Sequence, residues 1–548
     1  MSLASRSITR FFACILCLAA ARARGDVSGF VVDSSGSPVG GAQVRVQTQT
    51  VPVAVSAANG SFTLPITYTG TRTLTVSLPY NAAAGTNYNS GGLEGISDGQ
   101  TGLNLVLQTI PAASGVPSAV NSAFCGQCHE EQHTQLQPSS HALAALDAWV
   151  LDLFSGTGTP GGSAGYVFKN THDPGETGFC ATCHAPLADI ADPGNVMLDA
   201  VTSVQGLDGV GCLACHQIDS VNANAGGLHH LGNATYRFPD EFAGGWRYVW
   251  GPLPDVFEVM RSAEASVYKE SRYCGSCHEY NNPTTNAPGQ TTYTEWLASP
   301  YAAPGPNYRT CQTCHMPAAL TPGALTSSGE PVRPGDQRHA HTFIGATPAT
   351  LAGAITLDAL GSDAGGHIQV QTLVTNAGAG HAFPTGISIR NAILVLAASF
   401  KGVPLAQISG PTVPFWADDD VPGPQPGDHA GKPGKGYARI LEGRINGSGP
   451  VVRPVLFIDA ESVFANTLIP AGQSDAGIFS FALPPGAQPG DLVDVNVRLL
   501  YRRAFRATAV TKGWTVTPQG GPIEVQVAER NLQVTVSTPV ELQRFRIE

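Results

Sequence analysis

The sequence predicts a multidomain chain: a β-sandwich, then a loop-rich and helical segment with little regular structure, then a second β-sandwich. Three observations carry this. The 548 residues are too many for one ordinary core, and at about 150 residues per domain they divide into three or four units. The 63 glycines and 41 prolines exceed an average combined usage of about 12%, which favours turns and short strands over long helices. All cysteines but two lie in one stretch in the middle of the chain. Charged residues make up only 13%, with a net charge of -11. That composition argues against a disordered chain and excludes DNA and RNA as partners, since nucleic-acid phosphates need a basic surface.

Taken in order, residues 1–23 read as a secretory signal peptide. Arg6 and Arg10 precede an apolar run from Phe11 to Ala21, and Ala21-Arg22-Ala23 is a small-x-small cleavage site. The run is too short to span a bilayer, no later segment is long and apolar enough, and Cys14 and Cys17 leave with the signal. Residues 24–112 read as a small β domain. Val27–Asp33, Ala42–Val46 and Leu74, Val76 and Leu78 alternate, with Ser35–Pro38 as a turn and Asn59-Gly60 as a hairpin signal. This stretch resembles the carboxypeptidase regulatory-like β-sandwich, which implies a spacer or docking module.

The remaining ten cysteines fall into one pattern: Cys125-Gly-Gln-Cys128-His129, Cys180-Ala-Thr-Cys183-His184, Cys212-Leu-Ala-Cys215-His216, Cys274-Gly-Ser-Cys277-His278 and Cys311-Gln-Thr-Cys314-His315. Random placement of these residue types would give about 0.007 such pentapeptides. Two thiols at this spacing can add to the two vinyl groups of a haem, and the histidine after the second then sits under the iron as proximal ligand. Structural zinc or disulfides are the bland alternatives for an exported chain with paired cysteines. Neither explains the histidine after every pair. The pattern implies five covalently attached haem c groups, whose macrocycles would supply much of the core of residues 118–345, the pentahaem domain.

Each iron needs a sixth ligand or an open position. The mature chain offers only Met197, Met260 and Met316 as sulfur ligands, which predicts mainly bis-His, low-potential haems. Ten histidines lie outside the motifs. His141 leads the candidates, because Ser139-Ser140 precedes an Ala/Leu-rich run, Ala142 to Phe154, that reads as a helix with a serine cap. His172, one of His229 and His230 in a Gly-flanked loop, one of His339 and His341, and His381 in Gly380–Gly386 complete the set. His133, His367 and His429 read as surface or packed residues.

The segment contains an echo. Cys125–Glu130 matches Cys274–Glu279, Cys180–Pro186 matches Cys311–Pro317, and Thr134–Ala142 matches Thr294–Ala302, with Tyr301 where His141 stood. The second copy must therefore import a ligand, which suits His339, His341 or His381. Residues 360–548 alternate again (His367–Leu373, Ile389–Leu396, Ile478–Phe481, Val493–Leu499, Leu532–Val536) and predict a second β-sandwich. Asp418-Asp419-Asp420 reads as a solvated loop, with a calcium site as the alternative.

The haem segment resembles the multihaem cytochrome c superfamily of tetrahaem carriers, hydroxylamine oxidoreductase and pentahaem nitrite reductase. The resemblance rests on Cys125–His129 with Ser140-His141, on Gly209–His216 and on Cys311–Pro317. Gly380–Gly386 and Leu499–Arg502 resemble relatives that append an immunoglobulin-like domain. The resemblance implies a distal-ligand role for His141 and redox partner proteins, either other cytochromes or a membrane quinol-oxidising complex. Pentahaem nitrite reductase carries lysine after the second cysteine of its catalytic motif, whereas all five positions here are histidine. The expectation is an electron carrier of the periplasm or cell surface with no catalytic residue of its own. The alternatives are an oxidoreductase acting on a small nitrogen or sulfur oxyanion at one five-coordinate haem, and a surface-assembly protein.

Overall fold

The computed structural model describes residues 25–113, 115, 117–222, 234–239, 247–257, 260–318, 333–418 and 427–537. It is a β-rich, multidomain chain whose described residues form two compact units. The first holds the described residues up to Leu78, with Ser90–Thr109 and Pro254–Phe257; the second holds the rest.

The first unit is a β-sandwich. Val27–Asp33 pairs antiparallel with Ser61–Leu64 and parallel with Leu103–Thr109. Gln43–Val46 lies between Ala54–Val55 and Thr71–Ser77, which pairs in turn with Gly91–Ser97. Period-two alternation turns Val27, Val31, Val44, Leu64, Leu74, Val76, Leu105 and Leu107 inward, all fully buried. Asn59-Gly60 makes the expected turn, but it crosses between the two sheets instead of joining paired neighbours. Gly60 is required there: its φ is +81°, and a Cβ would stand 2.4 Å from the Val31 carbonyl oxygen.

In the second unit, the described residues between 117 and 354, Pro254–Phe257 apart, are loops with short helices, none longer than seven residues. Three two-stranded sheets punctuate them, Ile218–Val221 with Ala234–Tyr236, Tyr248–Gly251 with Arg261–Glu264, and Glu279–Asn281 with Pro288–Thr291. The helix expected from Ala142 to Phe154 is broken. Asp147, at ψ 112°, caps a new helix, Ala148–Phe154, by accepting from Trp149 and Val150 N–H, so His141 sits in a turn and not at a helix start. A free carboxylate at an N-cap outcompetes helix continuation.

From Ile355 onward two sheets face each other. One runs Ile355–Asp363, His367–Asn376, Ser474–Ala482, Gln407–Ser409. The other runs Val403–Pro404, Asn391–Phe400, Leu492–Arg502, Glu524–Thr535, with Gly434–Tyr437 also on Asn391–Phe400. Asn391↔Arg502 to Phe400↔Val493 pair without a break, and Leu357, Ile368, Val370, Leu394, Phe479, Phe481, Val497 and Leu499 fill the core. Asp418 is buried, not solvated: Arg502 and Arg506 both reach its carboxylate, which leaves no site for calcium on it, and Asp419 and Asp420 lie outside the described residues. Among the described residues no helix is long and apolar enough to cross a membrane.

A buried polar joint ties helix Ala148–Phe154 to this sandwich. Lys512, 2% exposed, donates to the carbonyls of Asp152, Gly162 and Tyr166. The Asp152 carboxylate takes Thr159 N–H and Oγ1 and Trp514 Nε1, while Trp149 and Trp514 stack at 4.3 Å. Asp152→Ala strands buried donors, each at about 1–3 kcal/mol. The variant is expected to lose about 3 kcal/mol or more, read as a lower urea midpoint by far-ultraviolet circular dichroism.

Candidate cofactor sites

Each Cys-x-x-Cys-His pentapeptide folds into one helical turn. Cys180–His184, Cys212–His216 and Cys311–His315 are helices from end to end. In the other two, His129 N–H reaches Cys125 O at 2.9 Å and His278 N–H reaches Cys274 O at 3.0 Å. Positions i, i+3 and i+4 share a helix face, so each turn presents two thiols and an imidazole to one side. All ten thiols are free, and burial holds Cys180 and Cys215 up to about 12, as neutral thiols. Among the described residues no three His, Cys, Asp or Glu side chains are grouped to share one metal ion.

The turns hold one another. Ser122 Oγ, in the helix of the first motif, accepts Cys212 N–H of the third at 2.9 Å. Ser271 Oγ, capping the fourth, accepts Cys311 N–H of the fifth at 3.1 Å. Cys125 and Cys212, Cys274 and Cys311, and Cys183 and Cys277 lie near enough for each thiol to perturb the other's ionisation. Packing thus equates the third motif with the fifth, where the sequence echo paired the second with the fifth.

The proximal imidazoles are oriented through Nδ1. His184 contacts Ala144 O at 3.0 Å, His216 Trp250 O at 2.8 Å and His315 Ile344 O at 2.6 Å, while His278 contacts the Gln290 amide at 2.9 Å. For the three rings on carbonyls, tying Nδ1–H to an acceptor fixes the tautomer that leaves Nε2 free to ligate; His278 Nδ1 instead accepts from the Gln290 amide N–H. Three of these rings face a second imidazole: His278 faces His141 at 6.1 Å between ring centres, His315 faces His381 at 6.3 Å, and His216 faces His341 at 6.5 Å. Imidazole nitrogens bind first-row metals at about 2 Å, so two in-line bonds plus the nitrogen-to-centre distances put ring centres about 6 Å apart. The three pairs fit an iron held between them. His341 and His381 use Nδ1 on the carbonyls of His339 and Ala382, at 2.9 and 3.0 Å. Burial pushes His278 down to about 3 and His141 and His341 down to about 4, which keeps their lone pairs available at neutral pH.

The other candidates fall elsewhere. His172 has both nitrogens engaged, Nε2 on Asp459 at 3.0 Å and Nδ1 on Thr171 Oγ1 at 3.0 Å, and so offers no lone pair. His339 anchors Nδ1 on Met316 O at 2.7 Å but belongs to none of the three facing pairs. Its segment lies along Glu130–Leu136, where Arg338 meets Glu131 and His341 N–H meets Gln135. His229 and His230 lie outside the described residues. Met197 packs in the apolar cluster around Cys180 and Ala181. His429 is buried, and its N–H meets Asp418. His367 opens strand His367–Asn376, in register with Ala482 of strand Ser474–Ala482. Tyr301 lies beside Gly380, next to the His381 that faces the fifth motif. No local pattern signals Phe343, whose ring packs edge-on to His141 at 4.4 Å, or Gln290 as the partner of His278.

Residues 26–94 match the family model of the carboxypeptidase regulatory-like domain. No curated protein matches the chain. Among solved structures, a penta-heme cytochrome c552 from Thermochromatium tepidum is similar at 20% identity and a TM-score of 0.48, over 76% of this chain and 99% of that one. A cohesin–X-dockerin complex from Acetivibrio cellulolyticus is similar at 19% identity and a TM-score of 0.14, over 16% of this chain and 61% of that one.

His172→Ala removes a buried partner of Asp459. It should cost about 1–3 kcal/mol in denaturant unfolding while leaving the visible spectrum of the cofactor-loaded protein unchanged. A change in that spectrum would return His172 to the ligand set.

Proposed function

We propose that the chain is an exported c-type cytochrome that carries electrons through five haems, most of them held between two histidines. The three facing imidazole pairs carry the reading. Each has the separation an iron would need, and each joins a motif histidine to a histidine far from it in sequence. When bound, each haem supplies a one-electron iron couple. The protein's part is to fix the macrocycle edges through paired cysteines, orient His216, His278, His315, His341 and His381 through Nδ1, and bury the imidazoles. Neighbouring thiols from different motifs would bring macrocycles close, and full ligation by the protein keeps reorganisation on electron transfer small. The leader-like first 23 residues support a carrier of the periplasm or cell surface, and the proposed partners are other cytochromes or a quinol-oxidising complex, with the N-terminal sandwich as docking module.

The alternative is a multihaem oxidoreductase acting on a small nitrogen or sulfur oxyanion at one five-coordinate haem. Its test separates the two classes. A denatured, acid-washed sample is expected to retain five haems by intact mass, and fewer than four would break the reading. His141→Ala should convert one haem to high spin; an unchanged low-spin spectrum with five haems would remove His141 from the ligands. Reduced protein should bind carbon monoxide at no haem, or weakly at one, without turning over nitrite or hydroxylamine. Stoichiometric binding at one haem together with turnover would establish the oxidoreductase.

A further inference from the structure

We propose that Arg390 and Arg503 form a cationic socket for carboxylates, those of the haems attached at the fourth and fifth motifs, an inference that rests on the haem reading above. Arg390 follows the Gly380–Gly386 segment that supplies His381, and its guanidinium makes one long contact, Nη1 to Thr385 O at 3.4 Å. Arg503 follows strand Leu492–Arg502; its Nη2 donates to Ala346 O at 2.6 Å, and its Nε is buried without an acceptor. Both are half-buried, and among the described residues neither meets a carboxylate.

Neighbouring arginines of the same sandwich are neutralised. Arg439 meets Glu295 at 3.0 Å, Arg502 meets Glu524 at 2.7 Å and Arg506 meets Asp428 at 2.7 Å. Glu295 is not spare for Arg390: it also accepts Thr385 Oγ1 at 2.6 Å and Thr291 Oγ1 at 2.9 Å. Arg390 and Arg503 flank the register pair Asn391↔Arg502, and the Thr385 that Arg390 contacts meets Thr292 through its hydroxyl, while the Gln290 amide joins Thr292 to His278. Two half-buried guanidiniums therefore stand beside the segments that bear His278 and His381, with no carboxylate against them among the described residues. Buried charges of this kind are paired in folded proteins. A haem brings two propionate carboxylates, and the planar guanidinium fork matches a carboxylate bidentately. A free oxyanion shares that chemistry, so the experiment distinguishes the two sources.

The experiment is a redox titration of the five-haem protein beside Arg390→Gln, Arg503→Gln and Arg390→Lys, with haem content fixed by intact mass. Removing a positive charge near an iron disfavours its reduced state. Both glutamine variants should keep five low-spin haems but lower one or two midpoint potentials, by about tenfold in the reduction constant, or ~59 mV for one electron. Arg390→Lys should restore most of the shift, and Arg503→Gln keeps the comparison open if Arg390→Gln misfolds. Unchanged potentials in both glutamine variants with five haems present overturn the socket and leave the cytochrome reading standing, whereas a chain without covalent haem overturns that reading itself. Wild-type potentials indifferent to added sodium sulfate and sodium nitrite support haem carboxylates. A saturable shift with either anion, lost in Arg390→Gln, overturns that assignment in favour of a free oxyanion.

Discussion

A helical turn of five residues is the constraint on which the centre of this chain depends. The spacing i, i+3, i+4 brings two thiols and an imidazole to one side, but one turn cannot hold itself, because fixing its backbone dihedrals costs more than its few hydrogen bonds return. Each turn is therefore held from outside. Ser122 fastens the third motif from the helix of the first, and Ser271 fastens the fifth from the cap of the fourth. Thr310 closes a capping box on the fifth with Thr313. Carbonyls from distant loops, at Ala144, Trp250 and Ile344, set the rings. Loops this irregular keep a fixed shape because their backbone groups serve as acceptors for these sites.

The C-terminal sandwich is part of the same construction. His381 leaves it to face His315, and Glu295 of the loop segment is held by Arg439 of the sandwich while also accepting Ala382 N–H and Thr385 Oγ1. The same carboxylate thus holds both Arg439 and the segment that bears His381. The Lys512 carbonyl cage and the Trp149–Trp514 stack fasten the helix after His141. The sandwich therefore frames the His381 segment and braces the helix after His141.

The parts of this design written in local sequence were legible. Five identical spacings announced five turns, and period-two alternation announced both sandwiches. Tyr301 in place of His141 announced that the second copy takes its ring from elsewhere, and His381 faces that copy's fifth motif. What depends on long-range packing was not legible. Nothing near His172 signals that Asp459, distant in sequence, takes its Nε2. The run Ala142–Phe154 has helical composition throughout, yet Asp147 splits it, because a cap is decided by one side chain and not by average propensity. Asp418 looked like part of a solvated acidic loop, and only the fold brings Arg502 to it.

The arrangement of thiols also sets an order for the five sites that differs from their order in sequence. The first motif is tied to the third through Ser122 and the fourth to the fifth through Ser271, and thiols of the second and fourth lie near enough to perturb each other's ionisation. Cys215 of the third lies near enough to Cys277 of the fourth for their charges to interact. The fourth motif is therefore a branch point, linked to three of its four companions, and it takes its facing ring, His141, from the loop after the first motif. A network with one branch has three ends, at the first, second and fifth sites. Of the ten motif thiols only Cys314, at the fifth, is exposed to solvent. The fourth motif then stands between that exposed thiol and the other three motifs.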